Sequence, residues 1–209
     1  MATLTGLAPD PRQPGYRLVE VDRGRFASLP AAALEPLGLR LGAGIAPAVL
    51  ERLRQLADIE AAERAALRAL ARRAHARRDL QRRLAKKQHP PRAVDAALER
   101  LAARGLLDDR RFAEQYAALR AVRGRGPARL IQDLLAQGVE RHVAEDAVRR
   151  ALDEEGIDPR VEARAVAVKR AGQLRDLPGP IRKRRLLAFL VRRGYAGPQV
   201  KELVEELTC

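Results

Sequence analysis

The sequence predicts a mainly α-helical protein: an elongated array of three tandem three-helix repeats preceded by a small β-containing N-terminal segment. Three observations carry this. Apolar residues fall at helical intervals through most of the chain, as in Leu67, Leu70 and Ala74, then Phe112, Tyr116 and Leu119, then Leu130, Leu134 and Leu135. A leucine-spaced segment recurs at Leu80–Leu84, Leu130–Leu134 and Leu186–Leu190. Each copy is followed at one equivalent place by Gln88, Gly138 or Gly194, and then by Val94, Val143 or Val200. Successive copies are 50 and 56 residues apart, room for three helices joined by short loops. Before residue 59 the pattern changes to prolines and short alternating runs.

Taken in order, residues 1–15, with Pro9, Pro11 and Pro14, are expected to form a flexible tail. Residues 16–58 form the small β-containing segment. In it Tyr16–Val21 and Arg25–Leu29, split by Asp22, Arg23 and Gly24, read as a hairpin. Leu37–Leu41 could supply another short strand, and Pro47 can start a helix through Val49, Leu50 and Leu53. The repeats follow as residues 59–104, 105–156 and 157–209. At the first junction Gly105 can take the left-handed conformation that ends one helix, and Asp108 can cap the next. Leu107 and Phe112 then occupy the two positions of a hydrophobic staple. With Gly138 and Gly194, these residues make up the predicted structural motif.

A net charge of +14 and a pI near 11.2 point to a polyanionic partner. The excess of Lys and Arg over Asp and Glu is +1 in residues 1–58, +8 in 59–104, −1 in 105–156 and +6 in 157–209. The candidate binding residues therefore come from the outer two repeats. In the first they are Arg64, Arg68 and Arg72, one every four residues, with Arg73, Arg77, Arg78, Arg82, Arg83, Lys86 and Lys87. In the third they are Lys183, Arg184, Arg185, Arg192 and Arg193. With 36 Arg against 5 Lys, part of this reflects compositional bias. Aromatic residues are few, so contact with nucleic acid is expected through phosphates and not through base stacking.

The residues argue against an enzyme. His75, His89 and His142 are widely separated, lack a histidine partner at helical spacing, and read as surface or cap-adjacent residues. Asp108 and Asp109 are explained by capping and the helix dipole. Gly124–Pro127 lacks the strand and the Lys-Ser/Thr of a phosphate loop and reads as a turn, with Pro127 opening the next helix. The lone Cys209 excludes a disulfide framework and a Cys-based zinc site. No apolar run approaches 18 residues and no signal segment is evident, so a cytoplasmic protein is expected, with no cofactor and no metal.

Several of these stretches resemble the RecX family. They are Ala66–Arg73 followed by Asp79, Leu80 and Leu84; the Gly105–Ala113 junction; Gly126 with Arg129, Leu130, Leu134, Gly138 and Val139; and Phe189–Tyr195. The resemblance covers about residues 59–209 and implies tandem three-helix repeats that modulate the RecA recombinase. It implies binding along the groove of the RecA nucleoprotein filament, with inhibition of ATP hydrolysis, co-protease action and strand exchange. Two positions depart from the family: Ala76 stands where a serine commonly starts the second helix, and Asp79 where Glu is common, so that cap is weakened or moved. The expected protein is a monomeric, non-enzymatic regulator whose partners are the RecA filament and DNA phosphates, single- or double-stranded. A membrane and a small-molecule substrate are not expected. The alternative is an autonomous DNA-binding protein using helix-turn-helix-like units.

Overall fold

Residues 2–208 are described by a computed structural model of the chain, and Cys209 lies outside them. Two compact units are distinguished, residues 2–74 with 80–106, and residues 75–79 with 107–208.

The first unit opens with an antiparallel meander of β1 (Leu4–Pro9), β2 (Tyr16–Val21) and β3 (Gly24–Pro30). The β2–β3 turn is the expected hairpin: Asp22 and Arg23 both have positive φ, as a two-residue type I′ turn requires. The expected flexible tail is corrected by β1. Leu4 is buried, and the backbone pairs with β2 from Leu4↔Val21 to Pro9↔Arg17. Proline is tolerated because β1 is an edge strand, and Pro11 and Pro14 fall in the turn beyond it. A short helix α1 (Ala31–Leu34) runs into a 3-10 turn at Glu35–Leu37. The strand expected at Leu37–Leu41 is therefore absent. Pro36 withholds a ladder donor, and Gly38 and Gly42 both turn the backbone left-handed.

Helix α2 (Pro47–Leu70) starts at Pro47 and runs unbroken through residues 58 and 59. Its N-terminal half packs Leu53 and Leu56 against Leu4, Val19, Leu29, Leu34 and Ile45. Its C-terminal half lies along α4 (Pro91–Ala103). There the Arg100 guanidinium donates to buried Glu60, 2.7 Å, and to buried Glu63, 3.2 Å, while Arg104 reaches Glu63 at 2.7 Å. Burial, and the charge of Glu60 after it, pushes the Tyr16 hydroxyl up, so β2 joins the same buried polar group.

Helix α3 (Arg77–Lys86) begins in the second unit and continues in the first. The second unit otherwise comprises α5 (Asp109–Ala121), α6 (Pro127–Gln137), α7 (Arg141–Glu154), α8 (Pro159–Gln173), α9 (Gly179–Arg193) and α10 (Pro198–Thr208). One core gathers Phe112, Leu130, Leu134 and Val148 from α5–α7 with Val139 between α6 and α7, another Ala163, Ala167, Leu186, Leu190, Val200 and Val204 from α8–α10 with Tyr195 between α9 and α10. First helices bury alanines as much as leucines: Ala62, Ala65 and Ala66 in α2, Ala113, Ala117 and Ala121 in α5, Ala163 and Ala167 in α8. Small side chains let a neighbouring helix approach closely, and Leu119 is left 59% exposed on α5, off the face where its spacing placed it.

Candidate functional site

The junction motif forms as its residue types demand. Gly105 has φ +67°, and the Leu106 N–H reaches the Leu101 carbonyl at 3.0 Å, closing α4 in a Schellman arrangement. The Asp108 carboxylate accepts from the Arg111 N–H at 3.0 Å and caps α5, and Leu107 and Phe112 are both buried. The same closure ends each second helix. Gln88, Gly138 and Gly194 all have positive φ, and the next N–H bonds back to Leu84, Leu134 or Leu190.

The closures at Gly138 and Gly194 are also joints between repeats within the second unit. At Gly138, a Cβ would collide with the Arg78 side chain in the first turn of α3. At Gly194, it would strike the Arg129 backbone and come within 2.7 Å of the Gly126 carbonyl at the start of α6. In both cases the start of one repeat's second helix rests on the end of the next repeat's second helix. The cap lacking at Ala76 is supplied across the first joint: Ala76 is buried in the second repeat's core, and the Arg77 N–H donates to the Asp109 carboxylate at 2.7 Å. Burial pushes the Asp109 carboxyl up despite that bond. His75 is cap-adjacent as expected but is not at the surface. It is only 3% exposed, with Nδ1 2.6 Å from an Asp79 carboxylate oxygen.

The predicted basic residues divide into groups. Arg68, Arg72, Arg73, Arg78, Arg82, Arg83, Lys86 and Lys87 are exposed, whereas Arg64 and Arg77 are half-buried. The expected column Arg64–Arg68–Arg72 is broken, because α2 ends at Leu70 and Arg72 and Arg73 lie in the following turn. Arg64 lines a cleft with Arg25 and Phe26 of β3. On α9, Arg184, Arg185 and Arg192 are exposed, but Lys183 pairs with Glu205 at 2.8 Å and that bond holds the Glu205 carboxyl below its usual range. Arg193 is half-buried and donates to the Gly124 carbonyl at 3.2 Å across the second joint.

The reading by segments missed Arg123, Arg125 and Arg129, which gather around Arg192 and Arg193. Their segment sums to −1, yet residues 120–129 hold four arginines and no acid, a local signal that the longer count averaged away. Among the described residues no group of three or more His, Cys, Asp or Glu could hold a metal ion, and no helix is long and apolar enough to cross a membrane.

Three family models match the repeats in order: the first three-helix domain of RecX over residues 62–101, the second over 108–148 and the third over 162–204. Together they take in more than half of the chain. The chain belongs to the RecX family. It is 42% identical over 112 residues to a regulatory protein RecX of Halorhodospira halophila, a match covering 53% of this chain and 66% of that one. It is 38% identical over 120 residues to a regulatory protein RecX of Thermobifida fusca, covering 56% and 62%. The matched stretch thus spans just under two thirds of these relatives. A crystal structure of regulatory protein RecX shares the fold, with a TM-score of 0.73 and 18% identity over 99% of this chain and all of the other. RecX is by these names a family of regulatory proteins, built here as three three-helix domains behind a three-stranded sheet.

Proposed function

We propose that this RecX chain is a non-enzymatic, cytoplasmic regulator that binds the RecA nucleoprotein filament as a monomer and suppresses its ATPase, co-protease and strand-exchange activities. The observation that carries the reading is the match of all three repeats to RecX domains in order. It is supported by exposed cations of the outer repeats, Arg82, Arg83, Lys86 and Lys87 in one and Arg184, Arg185 and Arg192 in the other. A filament offers acidic protein surface together with DNA phosphates, and two linked basic sites gain from the effective concentration that each confers on the other. No metal and no small-molecule substrate enter this reading.

The experiment is charge reversal in three groups. Reversing Arg72, Arg73, Arg82 and Arg83, or Arg184, Arg185 and Arg192, should each weaken inhibition of RecA ATP hydrolysis. Reversing Arg141, Arg149 and Arg150 of the middle repeat should do much less. Lys183 and Arg193 are left intact because Lys183 ties α9 to Glu205 of α10 and Arg193 ties α9 to the Gly124 carbonyl, so that reversing either would disturb packing between helices. Equal loss from the middle-repeat variant would refute the two-ended grip. Unaltered inhibition in all three, with bare-DNA binding lost, would favour an autonomous DNA-binding protein.

A further inference from the structure

We propose that the joint between the second and third repeats holds a binding site for closely spaced phosphates, as presented by a nucleic-acid strand or a free triphosphate. A cavity of about 530 Å³ opens there, lined by Arg123, Arg125, Arg129, Phe189, Arg192 and Arg193. Every polar side chain in that lining is a guanidinium. Among the described residues one carboxylate pairs with the set: Asp133 pairs with Arg125 and with Arg129, the latter at 2.9 Å, so a single negative charge orients two of five cations.

A third guanidinium is fixed by the backbone. Helices α5 and α9 both end at this joint, and helix C-termini attract cations. Arg193 meets that demand by donating to the Gly124 carbonyl and lying 5.3 Å from the Phe189 ring centre. This explains one arginine and not five. The side chains of Arg123 and Arg192 make no hydrogen bond or ion pair among the described residues, and both are exposed. Both are thus available to an anion that enters the cavity.

The joint is stiff where it needs to be. The Gly126 N–H donates to the Arg193 carbonyl at 2.7 Å, and a Cβ at Gly126 would stand 2.5 Å from the Gly194 carbonyl oxygen. Arg125 and Arg129 on one side are thereby held against Arg192 and Arg193 on the other before any ligand arrives. Planar guanidinium forks match phosphate oxygens bidentately. A cavity of this size takes two or three phosphate groups, whereas the carboxylates of an acidic protein surface stand apart on separate side chains. Arg170, at 5.4 Å from the ring centre, and Arg193 already lie against Phe189, so bases add little and recognition is independent of sequence.

The inference rests on this joint and not on the recombinase reading, and its test contains no recombinase. Binding of inorganic triphosphate to the full chain is measured by calorimetry, and binding of a fluorescein-labelled oligothymidine by anisotropy over a series of salt concentrations. Arg123→Ala with Arg192→Ala should weaken the bound ligand by roughly tenfold per guanidinium. It should lower the salt slope for the oligonucleotide by about 1.4 and leave the thermal melt unchanged. Arg110→Ala with Arg111→Ala removes the same charge from the exposed start of α5 and should change affinity by less than about twofold. Oligonucleotide binding that triphosphate displaces assigns one site to both sources; binding of only one assigns it to that source. No saturable binding of either, equal loss in the two double variants, or displacement by polyglutamate as effective as by triphosphate overturns the proposal.

Discussion

Replacing Gly194 by alanine probes the way successive repeats are joined. Gly194 has φ +93°, and an added Cβ would strike the Arg129 backbone and approach the Gly126 carbonyl. The left-handed conformation alone costs a residue with a side chain about 1–2 kcal/mol. Forcing a methyl group into a packed contact costs about 1–3 kcal/mol more, because what it meets is backbone that cannot swing aside. Gly194→Ala should thus destabilise the second unit by about 2–5 kcal/mol. Gly156 is the internal control. It also closes a helix, with φ +63°, but nothing lies within 4 Å of its would-be Cβ, so Gly156→Ala should show only the conformational cost. Urea unfolding followed by helical circular dichroism measures both. Equal destabilisation by the two substitutions would mean that the close approach at Gly194 contributes nothing, and the account of the joint would fall.

Asp108→Ala removes the α5 cap and should lower stability by about 0.5–2 kcal/mol without loss of partner binding; unchanged melting with collapsed binding would make Asp108 an interface residue. Asp109→Asn keeps an acceptor for the Arg77 N–H while removing a half-buried charge, so it should be at least as stable as the parent at neutral pH, whereas Asp109→Ala should be less stable. Because burial raises the Asp109 carboxyl, the folded state holds its proton more tightly than the unfolded chain does. The cost of its ionised form is then relieved as pH falls from the raised value through the ordinary value of 3.8. The advantage of Asp109→Asn over the parent should shrink across that window, and a difference constant with pH would contradict the assignment. A chelator should leave both melting and activity unaltered, and stoichiometric zinc by elemental analysis would show otherwise.

The repeats were legible because their signals are local: the leucine spacing, the cap at Asp108 and the helix-closing residues each act within a few positions. Gln88 shows how robust the pattern is, since it takes the left-handed conformation its glycine counterparts take. The strand β1 was not legible, because Pro9, Pro11 and Pro14 dominate its neighbourhood while its pairing partner lies in the next hairpin. Nor was the unbroken length of α2, whose leucines Leu53 and Leu56 are buried only in its N-terminal half, while beyond them the buried face is alanine and paired glutamate. At the candidate site, exposure of Arg82, Arg83, Arg184 and Arg185 follows from helical period, but the convergence of Arg123, Arg125 and Arg129 on Arg192 depends on a joint between segments some 60 to 70 residues apart. The Asp109 cap on Arg77 is of the same kind: neither residue announces a partner 32 positions away.

The central claim is regulation of RecA, and it is tested most directly by titrating the full chain into RecA already assembled on single-stranded DNA while ATP hydrolysis and filament length are followed together. The account predicts that hydrolysis falls at amounts well below those needed to coat the DNA, and that reversing Arg184, Arg185 and Arg192 moves the titration to higher concentration. Hydrolysis that falls only when the DNA itself is covered, in step with binding to bare DNA, would contradict it.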